Sequence, residues 1–176
     1  MKKAILIALL FAAVVLTACL FGTAGAEENS QTAAYLRVHI RANSNGADDQ
    51  AVKYEVRDGV VEYLTPVVAE CETKAAAVDA IGARLGGIET VAERILEENG
   101  YAYGARASVR KEEFPTRVYD GATLPAGVYD ALILELGTGE GDNWWCVVYP
   151  PLCFTGGRAN VVYKSKILEI IQNFFR

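Results

Sequence analysis

The feature that most constrains this chain is its opening. Met1-Lys2-Lys3 is followed by an uninterrupted stretch, Ala4 to Ala26, without one charged side chain. Two lysines ahead of Ala4-Ile5-Leu6-Ile7-Ala8-Leu9-Leu10-Phe11 form the basic and apolar parts of a secretory targeting segment. Ala24-Gly25-Ala26 supplies a small-x-small cleavage site just before Glu27-Glu28. A buried core helix is a poor reading, because the stretch has no polar face. Three fates fit the pattern: cleavage after Ala26, lipidation at Cys19 of the lipobox-like Leu16-Thr17-Ala18-Cys19, or retention as an anchor. The last is possible because the stretch is long enough for a hydrocarbon core of about 30 Å. In each case the lysines stay inside and the rest of the chain works outside the cytoplasm that made it.

The expected organisation is therefore a signal peptide or anchor over 1–26, a flexible polar tether over 27–34, and one domain over 35–176. Removing Lys2 and Lys3 from the 17 Lys and Arg leaves 15 against 22 Asp and Glu, a net charge of −7. Nucleic acid and anionic lipid are bound by basic patches, so neither is an expected partner. The membrane is expected to be met only through the N-terminal segment. Outside the cytoplasm disulfides persist. Cys146 and Cys153 flank Val147-Val148-Tyr149-Pro150-Pro151-Leu152, whose proline pair suits a bend, and a disulfide between them is the expected state. The alternative is two buried thiols. Cys71 reads as a small apolar residue.

Along the domain, Leu36, Val38 and Ile40 alternate with Arg37, His39 and Arg41, a strand with one apolar and one basic face. Asn43-Ser44-Asn45-Gly46 is a turn and a helix start. Val52, Val56, Val60 and Tyr63 then mark the buried side of a helix running to about Leu64, with Pro66 as a break. A second helical region covers about Thr73 to Glu98, interrupted at Gly86-Gly87 and capped by Asn99-Gly100. Strands follow over Tyr101–Val109 and Tyr129–Leu136. The glycine-rich Gly137–Asp142 then leads, as a hairpin, into Trp144–Tyr149, and Lys164–Phe175 reads as a closing helix. The expected class is α+β: a mostly antiparallel sheet of about four strands with helices packed on one face.

Catalytic chemistry is hard to find. His39 is the single histidine, set between two arginines that disfavour its protonated form. It is either a surface residue or, in the one enzymatic alternative, the base for a cysteine nucleophile, Cys146 or Cys71, in an envelope peptidase or acyl transferase. No histidine and cysteine spacing suits a metal, and no cofactor is expected. The carboxylate pairs Asp48/Asp49 and Glu112/Glu113 read as solvated charge. Gly137-x-Gly139-x-Gly141 enters a strand rather than a helix and carries Glu140 and Asp142, so it is a turn and not a phosphate cradle. Trp144 and Trp145 point to opposite faces of their strand, so either one of them is exposed to a protein partner or both are buried beneath helices and loops.

Two stretches carry a resemblance. Arg37-Val38-His39-Ile40-Arg41-Ala42-Asn43-Ser44, with Asp49-Gln50, Lys53 and Val56-Arg57-Asp58, is similar to the N-terminal signature of the stage II sporulation protein R family. Leu124-Pro125-Ala126-Gly127-Val128-Tyr129 and Asn143-Trp144-Trp145-Cys146-Val147-Val148-Tyr149-Pro150-Pro151-Leu152-Cys153-Phe154 resemble its C-terminal signature. The lipobox-like pattern departs from that family. The resemblance implies a non-enzymatic signalling protein of endospore formation, exported from the forespore into the space between the septal membranes. Its partner there would be stage II sporulation protein GA, a membrane-embedded aspartic protease that processes pro-sigma-E. The candidate partner contacts are Asn43, Ser44, Asp49, Gln50, Arg57, Asp58, Asn143, Trp144 and Trp145. In the alternative reading Asn43 and Ser44 cap the helix, and Arg57 and Asp58 form a structural ion pair with groups on the sheet.

Overall fold

The computed structural model describes residues 30–119 and 122–151. The targeting segment, Cys19, Cys153 and the expected helix Lys164–Phe175 lie outside the described residues. The chain divides into two units, Met1–Ser30 and Gln31–Arg176, and the second is the domain described below. It opens with a helical turn, α1 (Ser30–Ala33), inside the stretch expected as a tether, and Thr32 of that turn is buried.

β1 (Leu36–Arg41) follows, then three helices: α2 (Ala47–Ala69), α3 (Lys74–Gly82) and α4 (Leu85–Glu98). Next come β2 (Ala105–Phe114), a short ribbon of β3 (Arg117–Tyr119) and β4 (Ala122–Leu124), then β5 (Gly127–Leu136) and β6 (Asn143–Tyr149). α2 runs through Pro66 instead of breaking there. A proline inside a helix costs about 3 kcal/mol. Here Leu64 and Val68 on either side of it are buried, and their packing holds the last turn. The break between α3 and α4 falls at Ala83-Arg84, ahead of Gly86-Gly87, so the glycines sit in the first turn of α4. Thr73 starts α3, its hydroxyl accepting from the Ala76 N–H at 3.1 Å.

The four-stranded sheet has the order β2-β5-β1-β6. It is mixed rather than mostly antiparallel. The central pair β1/β5 is parallel, with Val38 opposite Leu132 and Ile40 opposite Leu134, while β2 and β6 each run antiparallel to their neighbour. Nor do β5 and β6 form a hairpin, because β1 is inserted between them. A loop of six residues with three glycines suits either a hairpin or a skip across one strand. The placement of β1 decides between them, and no local pattern encodes it.

The helices pack on one face, as expected. Leu36, Val38, Ile40, Leu132, Leu134, Leu136, Cys146 and Val148 meet Val52, Val56, Val60, Leu64, Ile81, Ile88 and Leu96 in the main core. The opposite face is not the wet basic surface that the alternation in β1 suggests. A second core of Phe114, Leu124, Tyr129, Ala131, Ile133 and Val147 lies there, with Tyr119 of the ribbon packed against it. Arg37 and His39 are buried within it.

Candidate functional site

Since β1 separates β5 from β6, the loop Gly137–Asp142 has to pass the end of β1, where the chain turns through Ala42–Gly46 into α2. The two segments are fastened together. The Thr138 N–H donates to Asn43 Oδ1 at 3.0 Å, and its hydroxyl donates to the Asn43 carbonyl at 2.8 Å. The Gly141 N–H donates to the Ala42 carbonyl at 2.8 Å, and the Asp142 N–H to Asn45 Oδ1 at 2.6 Å. Gly137 has φ +56°, and a Cβ at Gly141 would strike the Ser44 carbonyl, so both positions require glycine.

A second layer ties this crossing to α2. Asp49 accepts from Asn43 Nδ2 at 2.9 Å, from the Ser44 hydroxyl at 2.5 Å and from the Tyr103 hydroxyl at 2.6 Å. These donors, Ser44 foremost and then Tyr103, hold the Asp49 carboxyl below its ordinary range. Burial, and then the bond to Asp49, pushes the Tyr103 hydroxyl up. Gln50 Nε2 donates to the Ser44 carbonyl at 2.8 Å, and its Oε1 accepts from Lys53 Nζ at 2.6 Å. Lys53, at 1 % exposure, also donates to the Asp142 carbonyl at 2.9 Å.

Asn43, Ser44, Asp49 and Gln50 are thus brought together as internal fasteners. They do not cap α2 through their side chains: its N-cap is Gly46, which makes no side-chain cap bond. Sequence reasoning missed Asn45, Lys53, Tyr103 and Thr138, which complete the set. The signal for Lys53 was its place at i+3 from Gln50 and beside Val52.

The other candidates separate from this network. Arg57 donates from Nε to Asp58 Oδ1 at 2.7 Å, and its guanidinium lies 5.0 Å from the Tyr54 ring centre and 5.6 Å from that of Trp144. Tyr54, which sequence reasoning also missed, is 45 % exposed. Asn143 is exposed at the start of β6, opposite Arg41. Trp144 packs against the helix-side core, whereas Trp145 faces the ribbon and stacks on His39 with ring centres 3.8 Å apart.

His39 is 1 % exposed, which overturns its reading as a surface residue. Its Nδ1 meets Glu112 Oε1 at 2.5 Å, and Arg41 joins the same oxygen at 2.9 Å and Glu135 at 3.0 Å. Burial opposes the Glu112 charge. The bonds from His39 and Arg41 outweigh it and hold the Glu112 carboxyl below its ordinary value. Burial depresses the His39 pKa, with bonds to Asn143 and Glu112 offsetting it only in part. His39 is therefore neutral near pH 7 and donates from Nδ1. The arginine neighbours suggested the same direction, but Arg41 is the least of the causes.

Beside it Arg37 lies 4.3 Å from the Phe114 ring centre, donating from Nη2 to the Tyr119 hydroxyl at 2.6 Å and from Nε to the Cys146 carbonyl at 3.2 Å. The cysteine partners of the enzymatic alternative are elsewhere. Cys146 pairs with Val38 and points, like Val38, to the helix-side core, away from His39. Cys71 donates to the Val67 carbonyl at 3.3 Å, and burial raises its pKa, the opposite of an activated thiol. Among the described residues no Cys/His pair and no group able to hold a metal is assembled, and no helix is long and apolar enough to cross a membrane.

The fold and this site define an α+β domain built on a mixed four-stranded sheet, with most of its signature polar residues turned inward. By sequence the chain belongs to the stage II sporulation protein R family, whose model matches residues 32–158. Stage II sporulation protein R of Bacillus subtilis (strain 168) is 37 % identical to it over 119 residues, 68 % of this chain and 53 % of that relative. The match thus spans about half the length of the curated relative. No solved structure matches.

Proposed function

We propose that this protein is an exported signal of endospore formation, acting between the forespore and mother-cell membranes to activate the membrane-embedded aspartic protease that processes pro-sigma-E. The observation that carries the reading is the family match over residues 32–158, and the apolar stretch Ala4–Ala26 ahead of it supports export. An activating ligand needs only to bind the active arrangement of its receptor more tightly than the resting one. A domain with its polar groups spent on its own rigidity suits that task.

A disulfide between Cys146 and Cys153 belongs to the same reading. Cys71 is a free cysteine, which leaves Cys153 as the partner the sequence offers Cys146 beyond the targeting segment. Closing so short a loop contributes roughly 2.5 kcal/mol in the chain-entropy model.

The test is to express the chain with the protease and pro-sigma-E of its own organism. Processing is expected with the exported protein, and none when charged residues replace Leu9 and Leu10 and trap it in the producing cell. Processing by trapped protein would overturn the reading.

A further inference from the structure

The outer side of α2 is acidic. Asp48, Glu55, Asp58 and Glu62 recur along it at spacings of seven, three and four, which places them on one side of the helix, and all four are exposed. Among them stands Tyr54, one of the exposed large apolar residues. Of the two cations of this stretch, Arg57 offsets Asp58 alone and Lys53 is turned inward. Lys53 is buried and bonded to Gln50 and Asp142, and Arg57 is bonded to Asp58 between the rings of Tyr54 and Trp144.

On the far flank is a depression of about 440 Å³, lined by Asp48, Ala51, Val52, Glu55, Asn99 and Tyr101. Its lining combines Ala51, Val52 and Tyr101 with the carboxylates of Asp48 and Glu55. Glu55 accepts one bond, from Asn99 Nδ2 at 2.8 Å. The field there is negative: after burial, Asp48, Asp49 and Glu55 are what raise the Tyr101 hydroxyl.

We propose that this side of α2 docks a basic segment of a protein partner. A lysine or arginine enters the depression with its stem over Tyr101 and Ala51 and its charge between Asp48 and Glu55, while Tyr54 packs against the segment beside it. Long basic side chains lay their methylenes on apolar surface and keep the charged head among acids, and the depression offers both. Tyr54 and Trp144 are of the residue types that anchor interfaces, and Arg57 holds them in place at little entropic cost. Charge selects the partner, since an acidic face repels nucleic acid and anionic lipid and attracts a basic peptide. The inference rests on the proposed function in one respect, namely that the partner is the membrane protease.

The experiment uses the full exported chain, unmodified and as the variants Asp48→Asn/Glu55→Gln and Tyr54→Ala, with Glu98→Gln on α4 as control. Two probes are titrated at low and high salt: the detergent-solubilised protease, and a short unstructured Arg-Gly repeat peptide. Thermal midpoints check folding. Both α2 variants are expected to bind both probes roughly tenfold more weakly. The double variant should also lose most of the salt dependence, and the control should change nothing. Folded variants that bind the protease as the unmodified chain does would overturn the docking face and leave the proposed function standing. If the protease is not bound at all but the peptide is, and the double variant loses the peptide, the proposed function fails and the face stands. Peptide binding unaffected by the double variant overturns the face.

Discussion

The two ends of one helix surface use polar residues in opposite ways. At its start, α2 turns Asp49 and Gln50 toward the Asn43-Ser44 turn, and Lys53 toward the Asp142 carbonyl of the loop that crosses β1. Along its outer side, Tyr54, Glu55, Asp58 and Glu62 face water. Both sets are polar stretches of one continuous helix, and the candidate contacts Asp49, Gln50 and Asp58 are divided between them. The difference teaches that a polar signature marks what must be kept, and that only the topology tells whether it is kept for the fold or for a partner. A skip over β1 brings two loops together with unpaired backbone groups, and buried polar backbone has to be satisfied. The inward set does that.

The comparison can be broken most readily at Asp49. Three donors converge on its carboxylate. Asp49→Ala strands all of them and should cost about 2–4 kcal/mol, read as a fall in the thermal midpoint or the denaturant midpoint. A loss under about 0.5 kcal/mol would mean the crossing is held by something else.

A smaller effect should sharpen a second contrast, between the two faces of the sheet. His39 is the single histidine of the chain, and burial holds its folded pKa below the ordinary 6.5. The unfolded chain therefore binds the extra proton first. Stability contributed by neutral His39 is full above about pH 6.5 and is lost as pH falls through that value toward the folded pKa. The thermal midpoint should drop between pH 7.5 and 5.5, and His39→Gln should flatten that slope. An unchanged slope would show that His39 is not buried neutral beneath the ribbon.

The smallest expected effect lies on the outer side of α2. Asp58 has a 69 % exposed side chain paired with Arg57. Asp58→Asn should change stability by less than about 0.5 kcal/mol. A larger loss, measured by denaturant titration, would make the Arg57 stack part of the scaffold.

Much of this was legible in the sequence because period and packing agree. Alternation over Leu36–Arg41 announced β1, the apolar run within Tyr129–Leu136 announced β5, and the valine spacing of 52, 56 and 60 announced α2. What stayed hidden was tertiary. Alternation assigns Arg37 and His39 to one face but cannot say that a ribbon from residues 117–124 will cover it. Three glycines between two strands look like a hairpin until β1 is known to lie between them. Asn43 and Ser44 look like helix caps in the sequence, whereas Asn43 serves Thr138, ninety-five residues away, and Ser44 donates to Asp49. Arg57 and Trp144 were picked out separately, but their direct contact depends on β6 lying next to β1.

The central claim is that the crossing residues serve the fold and the outer side of α2 serves the partner. Its most direct test is pro-sigma-E processing per molecule of folded, exported protein, compared between Asn43→Ala and Tyr54→Ala. Asn43→Ala should lower the amount of folded protein while each remaining molecule signals fully. Tyr54→Ala should be exported and folded in normal amount while signalling per molecule falls. An Asn43→Ala protein that is abundant, stable and silent, beside a Tyr54→Ala protein that signals normally, would contradict the claim.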